Sequence, residues 1–165
     1  MKGGYPVRRN RYLSVALSLM CLGIMVLRSA DVDADGVVQV SDAWVRETVP
    51  GQSVGAAYMQ IRSTERVDLV EAETKVSKSA EIHHMSMKDG LMKMRELNAV
   101  SVTPNEEVNL APGGTHVMLV DLKHPLKVGE KVALRLTFRR ENGTTFKVAV
   151  PAVVKPMIAG ATHEH

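Results

Sequence analysis

Between positions 37 and 154, apolar and polar residues alternate in short runs separated by Gly, Pro, Asn and Asp, and no segment carries a long 3.6-residue repeat. Strands are predicted at 37–45, 56–62, 67–76, 100–110, 115–122, 131–139 and 145–154, with two more in a methionine-rich segment from 83 to 94. The run 131–139 is the clearest: Val132, Leu134, Leu136 and Phe138 take every second place, the period of a strand with one buried face. Pro50-Gly51-Gln52-Ser53, Ser63-Thr64-Glu65-Arg66, Pro112-Gly113-Gly114 and Leu126 to Gly129 read as connections, and Asn142-Gly143 as a hairpin turn. Short strands at this spacing predict an all-β sandwich or barrel. With only two Phe and one Trp in the chain, Val, Leu, Ala and Met must do most of the packing, and Trp44 and Tyr58 are expected in the core.

Residues 1–34 break this pattern. Lys2, Arg8, Arg9 and Arg11 precede an apolar run of 16 residues, 12–27, short of the ~20 needed to span a bilayer. This is a secretory leader, or a retained anchor, since Arg28 flanks the run and no Ala-x-Ala follows. Cys21 invites a lipoprotein reading, which Met20 before it and the continuing apolar run speak against. The domains are therefore 1–34 as leader, 35–155 as one β-sandwich with one core, and 156–165 as a flexible tail.

Removing the leader changes the charge. The chain holds 21 basic and 18 acidic residues, of which five basic and two acidic lie in 1–34, leaving sixteen of each. The high pI belongs to the leader, and no basic cluster interleaved with aromatics remains, so neither a nucleic-acid partner nor a lipid substrate is expected. The one Cys goes with the leader as well. Without a thiolate there is no disulfide and no blue-copper centre, whereas thioethers and imidazoles remain usable as ligands in an oxidising compartment.

Such ligands are concentrated in one place. Beyond residue 34 the chain has seven Met, five of them between 85 and 118, and three of its six His lie between 83 and 116. Asp89-Gly90 is a strong two-residue hairpin signal, because a type I′ turn needs positive φ at both central positions. Centred there, it sets Met87 opposite Met92 and Met85 opposite Met94, so that His83, Met85, Met87, Met92 and Met94 share one face and His84 points to the other. His116 and Met118 share a face of their own strand. Thioether and imidazole together suit Cu(I) and serve Zn(II), Mg(II) or Ca(II) poorly. His163 and His165, two imidazoles one residue apart in the tail, are a candidate second site for Cu(II), while His124 reads as a surface residue.

Written as spacing, the segment is His83, ten residues, Met94, twenty-one residues, then His116-x-Met118. This resembles the signature of the PCu(A)C family of periplasmic copper chaperones, with no insertion or deletion. Asp42-Ala43-Trp44-Val45-Arg46, Ala57-Tyr58-Met59 and Ala111-Pro112-Gly113-Gly114 extend the resemblance over about 37–151. It implies a cupredoxin-like Greek-key β-sandwich with ligands at one end. It also implies a Cu(I) site made by His83, Met94, His116 and Met118, with Met85 as auxiliary, and delivery of copper in the periplasm for assembly of the dinuclear copper centre of cytochrome c oxidase. The partner is then an exported or membrane-tethered copper acceptor, either an oxidase subunit or a thiol-containing copper chaperone. A copper enzyme is disfavoured, since a Met-rich site disfavours Cu(II) and no base is paired with a nucleophile. The alternative is an exported interaction or metal-storage sandwich with a Met-rich patch.

Overall fold

A computed structural model of the protein describes residues 36–156. Ten strands account for its regular structure: β1 Val38–Arg46, β2 Val54–Ser63, β3 Val67–Thr74, β4 Ser79–Lys88, β5 Leu91–Glu96, β6 Val100–Val102, β7 Glu107–Leu110, β8 Thr115–Val120, β9 Lys131–Arg140 and β10 Thr145–Lys155. Among the described residues there is no helix. The strands hydrogen-bond in the order β5-β4-β8-β2-β1-β10-β9-β3-β6, and a β3–β4 pairing at Ala72 and Ala80 closes seven of them into a ring. β1 and β10 run parallel and the other pairs antiparallel. This all-β architecture is compatible with the cupredoxin-like sandwich expected from the sequence.

Alternation builds the core. In β9, Val132, Leu134, Leu136 and Phe138 are buried, and they meet Phe146, Val150, Ala152 and Val154 of β10 in one cluster with Met59, Ile61, Leu69, Val117 and Leu119. The predicted strand 100–110 is two strands on different neighbours, β6 on β3 and β7 on β2. Pro104 cannot donate to a ladder and Asn105 has φ of 65°, so the chain turns there.

Tyr58 is buried as expected, at 4% exposure, but on the face of β2 turned away from the main core cluster, and Trp44 is half-buried beside it. β1 carries a bulge: Ser41 pairs with Gln60 but Trp44 with Tyr58, one extra residue on the β1 side, with Asp42 at φ 49°. Val38 and Val40 face inward before it, and Ala43 and Val45 after it. Strict alternation would send Trp44 inward; the extra residue reverses the phase and puts Trp44, with Tyr58 across from it, on the outer face.

Candidate metal centre

The Asp89-Gly90 turn has φ of 54° and 73°, both positive as the type I′ hairpin requires. The ladder that follows pairs Met87 with Met92, Met85 with Met94 and His83 with Glu96. On its other side β4 meets β8, where His83 pairs with His116 and Glu81 with Met118. Since Ile82, Val117 and Leu119 are buried in the core, their neighbours His83, His116 and Met118 stand on the outer face with the hairpin methionines. Pro112 and Gly113, at φ 79°, form the turn that starts β8, closed by the Gly114 N–H donating to the Ala111 carbonyl at 3.1 Å. His84 faces away and shares a 3.0 Å hydrogen bond with Thr115 Oγ1.

The two imidazoles are oriented by different acceptors. His83 Nε2 lies 3.0 Å from Glu81 Oε2, and His116 Nδ1 lies 3.1 Å from the Gly114 carbonyl oxygen. Carboxylate and carbonyl can only accept, so those nitrogens carry the protons, and the lone pairs are left on His83 Nδ1 and His116 Nε2. Metal-bound histidines are held in this way, by a carboxylate or a main-chain carbonyl on the nitrogen away from the ion. His83 Nδ1 is buried with no hydrogen-bond partner, an arrangement that costs about 1–3 kcal/mol unless something takes the lone pair. The rings are 6.2 Å apart between centroids, with His116 only 5% exposed. The hydrogen bond from His83, aided by Ser79, holds the Glu81 carboxyl below the usual carboxylate range against a smaller effect of burial.

Thioethers flank this pair on both sides. Met118 stands two residues along on the Glu81 side, and Met85 and Met94 two residues along on the other. Met85, Met92, Met94, His116 and Met118 line a cleft of about 700 Å³ whose far wall includes Arg46 and Tyr58. Met94 is 47% and Met92 64% exposed, so the ligand face opens to solvent. Among the described residues, no three His, Cys, Asp or Glu come together so as to hold a metal ion. Any ion gripped here by more than the two imidazoles takes sulfur, which is soft-metal chemistry.

The structure thus brings His83, Met94, His116, Met118 and Met85 onto one face. His163 and His165 lie outside the described residues. His124 sits on the surface, its Nδ1 3.1 Å from the Pro125 carbonyl oxygen. Three neighbours went unread in the sequence. Glu81, two residues before His83 on the same strand, was open to the alternation argument, as was Tyr58, whose ring is 6.2 Å from that of His116 and which alternates with the core residues Ala57 and Met59; Trp44, 4.5 Å from Tyr58, was hidden by the bulge.

Comparison with known proteins places the chain. The family model described as "Putative lipoprotein LpqE-like" matches residues 38–152. A putative lipoprotein of Leifsonia xyli subsp. xyli is 36% identical over 121 residues, 72% of this chain and 70% of its own. Among solved structures, the apo PCuAC domain from PmoF1 superposes with a TM-score of 0.60 at 27% identity, over 74% of this chain and 96% of that one. The Cu(I) form of DR1885 from Deinococcus radiodurans does so with a TM-score of 0.50 at 32% identity, over 78% and 85%. The copper-bound PCuAC domain from PmoF2, at 23% identity and a TM-score of 0.59, shares the fold. On the family match, the Leifsonia relative and the fold they accompany, this chain belongs to the LpqE-like family and is built as a PCuAC domain.

Proposed function

We propose that the protein is an exported copper chaperone that binds Cu(I) through His83, Met94, His116 and Met118, with Met85 as an auxiliary ligand, and hands it to a partner. The observation that carries this reading is the imidazole pair, each ring tethered by its outer nitrogen with the other left free, set in a face of exposed thioethers. The copper-bound relatives support the choice of metal, and the lipoprotein names of the family and of the Leifsonia relative support export. Neutral thioethers hold the ion without formal charge, so release proceeds by ligand exchange, and a thiolate-bearing acceptor outcompetes them. The finer proposal is that the compartment is the periplasm and the destination the dinuclear copper centre of cytochrome c oxidase, reached through an oxidase subunit or a thiol-containing chaperone.

The test is an anaerobic Cu(I) titration against a competing chelator. One equivalent is expected to bind, and the Met94→Leu, Met118→Leu double variant should lose affinity by orders of magnitude. Its folding should change little, because Leu-for-Met exchange costs under about 1.5 kcal/mol per site. Unchanged binding in that variant rules the ligand set out. A second, weaker Cu(II) equivalent is assigned to His163 and His165: deleting residues 161–165 should abolish it and spare the first, and the idea fails if the full chain binds only one copper under oxidising conditions.

A further inference from the structure

The cleft is larger than its metal ligands need. His116, Met85, Met94 and Met118 line one end of a space of about 700 Å³, within the range of sites that take small organic groups. At the other end is Arg46. It follows Val45, which pairs with Ala57, and so stands level with Ala56, which pairs with Met118. Two strand spacings, roughly 10 Å at the backbone, separate Arg46 from Met118, within reach of an arginine side chain extended along the cleft.

Arg46 is half-buried, and among the described residues no carboxylate pairs with it, unlike Arg62, Arg139 and Arg140, which hold Glu107, Asp68 and Glu65. A half-buried guanidinium with no counter-charge is costly, and its planar fork is suited to a carboxylate. Tyr58 lines the same cleft and offers its phenol hydroxyl there as a further hydrogen-bonding group. The rim is apolar and open, with Val54 and Met92 exposed, and β5 is an edge strand whose outer backbone pairs with no other strand among the described residues. That edge favours an extended polypeptide as occupant over a small molecule.

Resting on the chaperone reading, we propose that Arg46 is the docking point for an acidic side chain of the partner polypeptide, placed beside the thiolates that exchange with Met118 and Met94. The carboxylate fixes the incoming chain in the cleft, and the thiolates then replace the thioethers one at a time. No electron is transferred; copper stays Cu(I) as Cu–S bonds to thiolate form and those to thioether break.

Two capped peptides test this, Cys-Ala-Ala-Cys-Asp and Cys-Ala-Ala-Cys-Asn, each mixed anaerobically with the Cu(I)-loaded full chain. Transfer to the Asp peptide should start roughly tenfold faster, Arg46→Gln should erase the difference, and Arg46→Lys should restore part of it, all with unchanged Cu(I) affinity. Equal rates for the two peptides with the unaltered protein, or a preference that survives Arg46→Gln, overturn the proposal. A preference for mercaptoacetate over mercaptoethanol without any peptide preference also overturns it, by assigning the cleft to a small thiol acid. Failure of the chaperone reading registers separately, as absence of Cu(I) binding. The peptides are then compared on the metal-free chain through amide shifts at Arg46, Tyr58 and Gly113, where the same Asp-over-Asn preference is expected and its absence is fatal.

Discussion

Glu81 acts on the site without facing an ion itself. It stands on the ligand face two residues before His83, accepts the proton-bearing Nε2, and is steadied in turn by Ser79 Oγ at 3.1 Å. A carboxylate there fixes the imidazole's tautomer and raises the basicity of its other nitrogen. Glu81→Gln keeps the shape and removes the charge. The Cu(I) affinity should fall about 10- to 100-fold, while thermal stability changes by no more than about 0.5 kcal/mol. Chelator competition and a melting curve on the same sample separate the two effects. At this scale the face shared by the imidazoles and thioethers was readable from spacing, and Glu81 could have been found by the same alternation. The choice of nitrogen on each ring could not, because it depends on a carboxylate and on the Gly114 carbonyl supplied by folded neighbours.

The hairpin of β4 and β5 is the element on which the site depends, and it is held lightly. Every residue of β5 is exposed and its only ladder among the described residues is to β4, so its position comes from the turn and six residue pairs. Gly90 has φ of 73° with open space around it, and a β-branched side chain there meets backbone strain of about 1–2 kcal/mol. Gly90→Val should speed amide hydrogen exchange across 85–96 and weaken Cu(I) binding, leaving exchange at 117–119 and 132–138 unchanged. Equal acceleration in all three segments would mean that the hairpin is not a separate unit. This turn was legible because Asp-Gly is chemically suited to it. The Asn142-Gly143 hairpin is built differently: Gly143 alone has positive φ, Gly143 N–H donates to the Arg140 carbonyl, and Asn142 Oδ1 accepts from the Thr144 N–H and hydroxyl. The β1 bulge left no local signal, since Asp42 is ordinary in a polar-apolar run until its partner strand sets the register.

At the scale of the whole barrel, β3 joins the closing strands, and Asp68 on it ties β6 to β9 by accepting from Ser101 Oγ at 2.8 Å and Arg139 Nη2 at 3.1 Å. These hydrogen bonds, Ser101 first and then Arg139, hold its carboxyl below the ordinary value against some desolvation. A lowered folded-state pKa means that the stabilisation is present above the unfolded value, near 4, and is lost as pH falls through the folded one. Asp68→Asn should therefore be less stable at pH 7, by up to about 1 kcal/mol for so exposed a pair, with the gap narrowing below about pH 4. Urea denaturation of both proteins at the two pH values checks it, and a constant gap sets the ion pair aside. The sequence by itself determined the strands, the Asp-Gly hairpin, the shared face of His83, Met85 and Met94, and the soft donor set, because period-two alternation and turn chemistry are local. Only the tertiary structure decided that β4 lies between β5 and β8, which sets His83 across from His116. It alone put Trp44 and Tyr58 beside the site and left Arg46 facing a cleft without a counter-charge among the described residues, because these follow from register between strands distant in the chain.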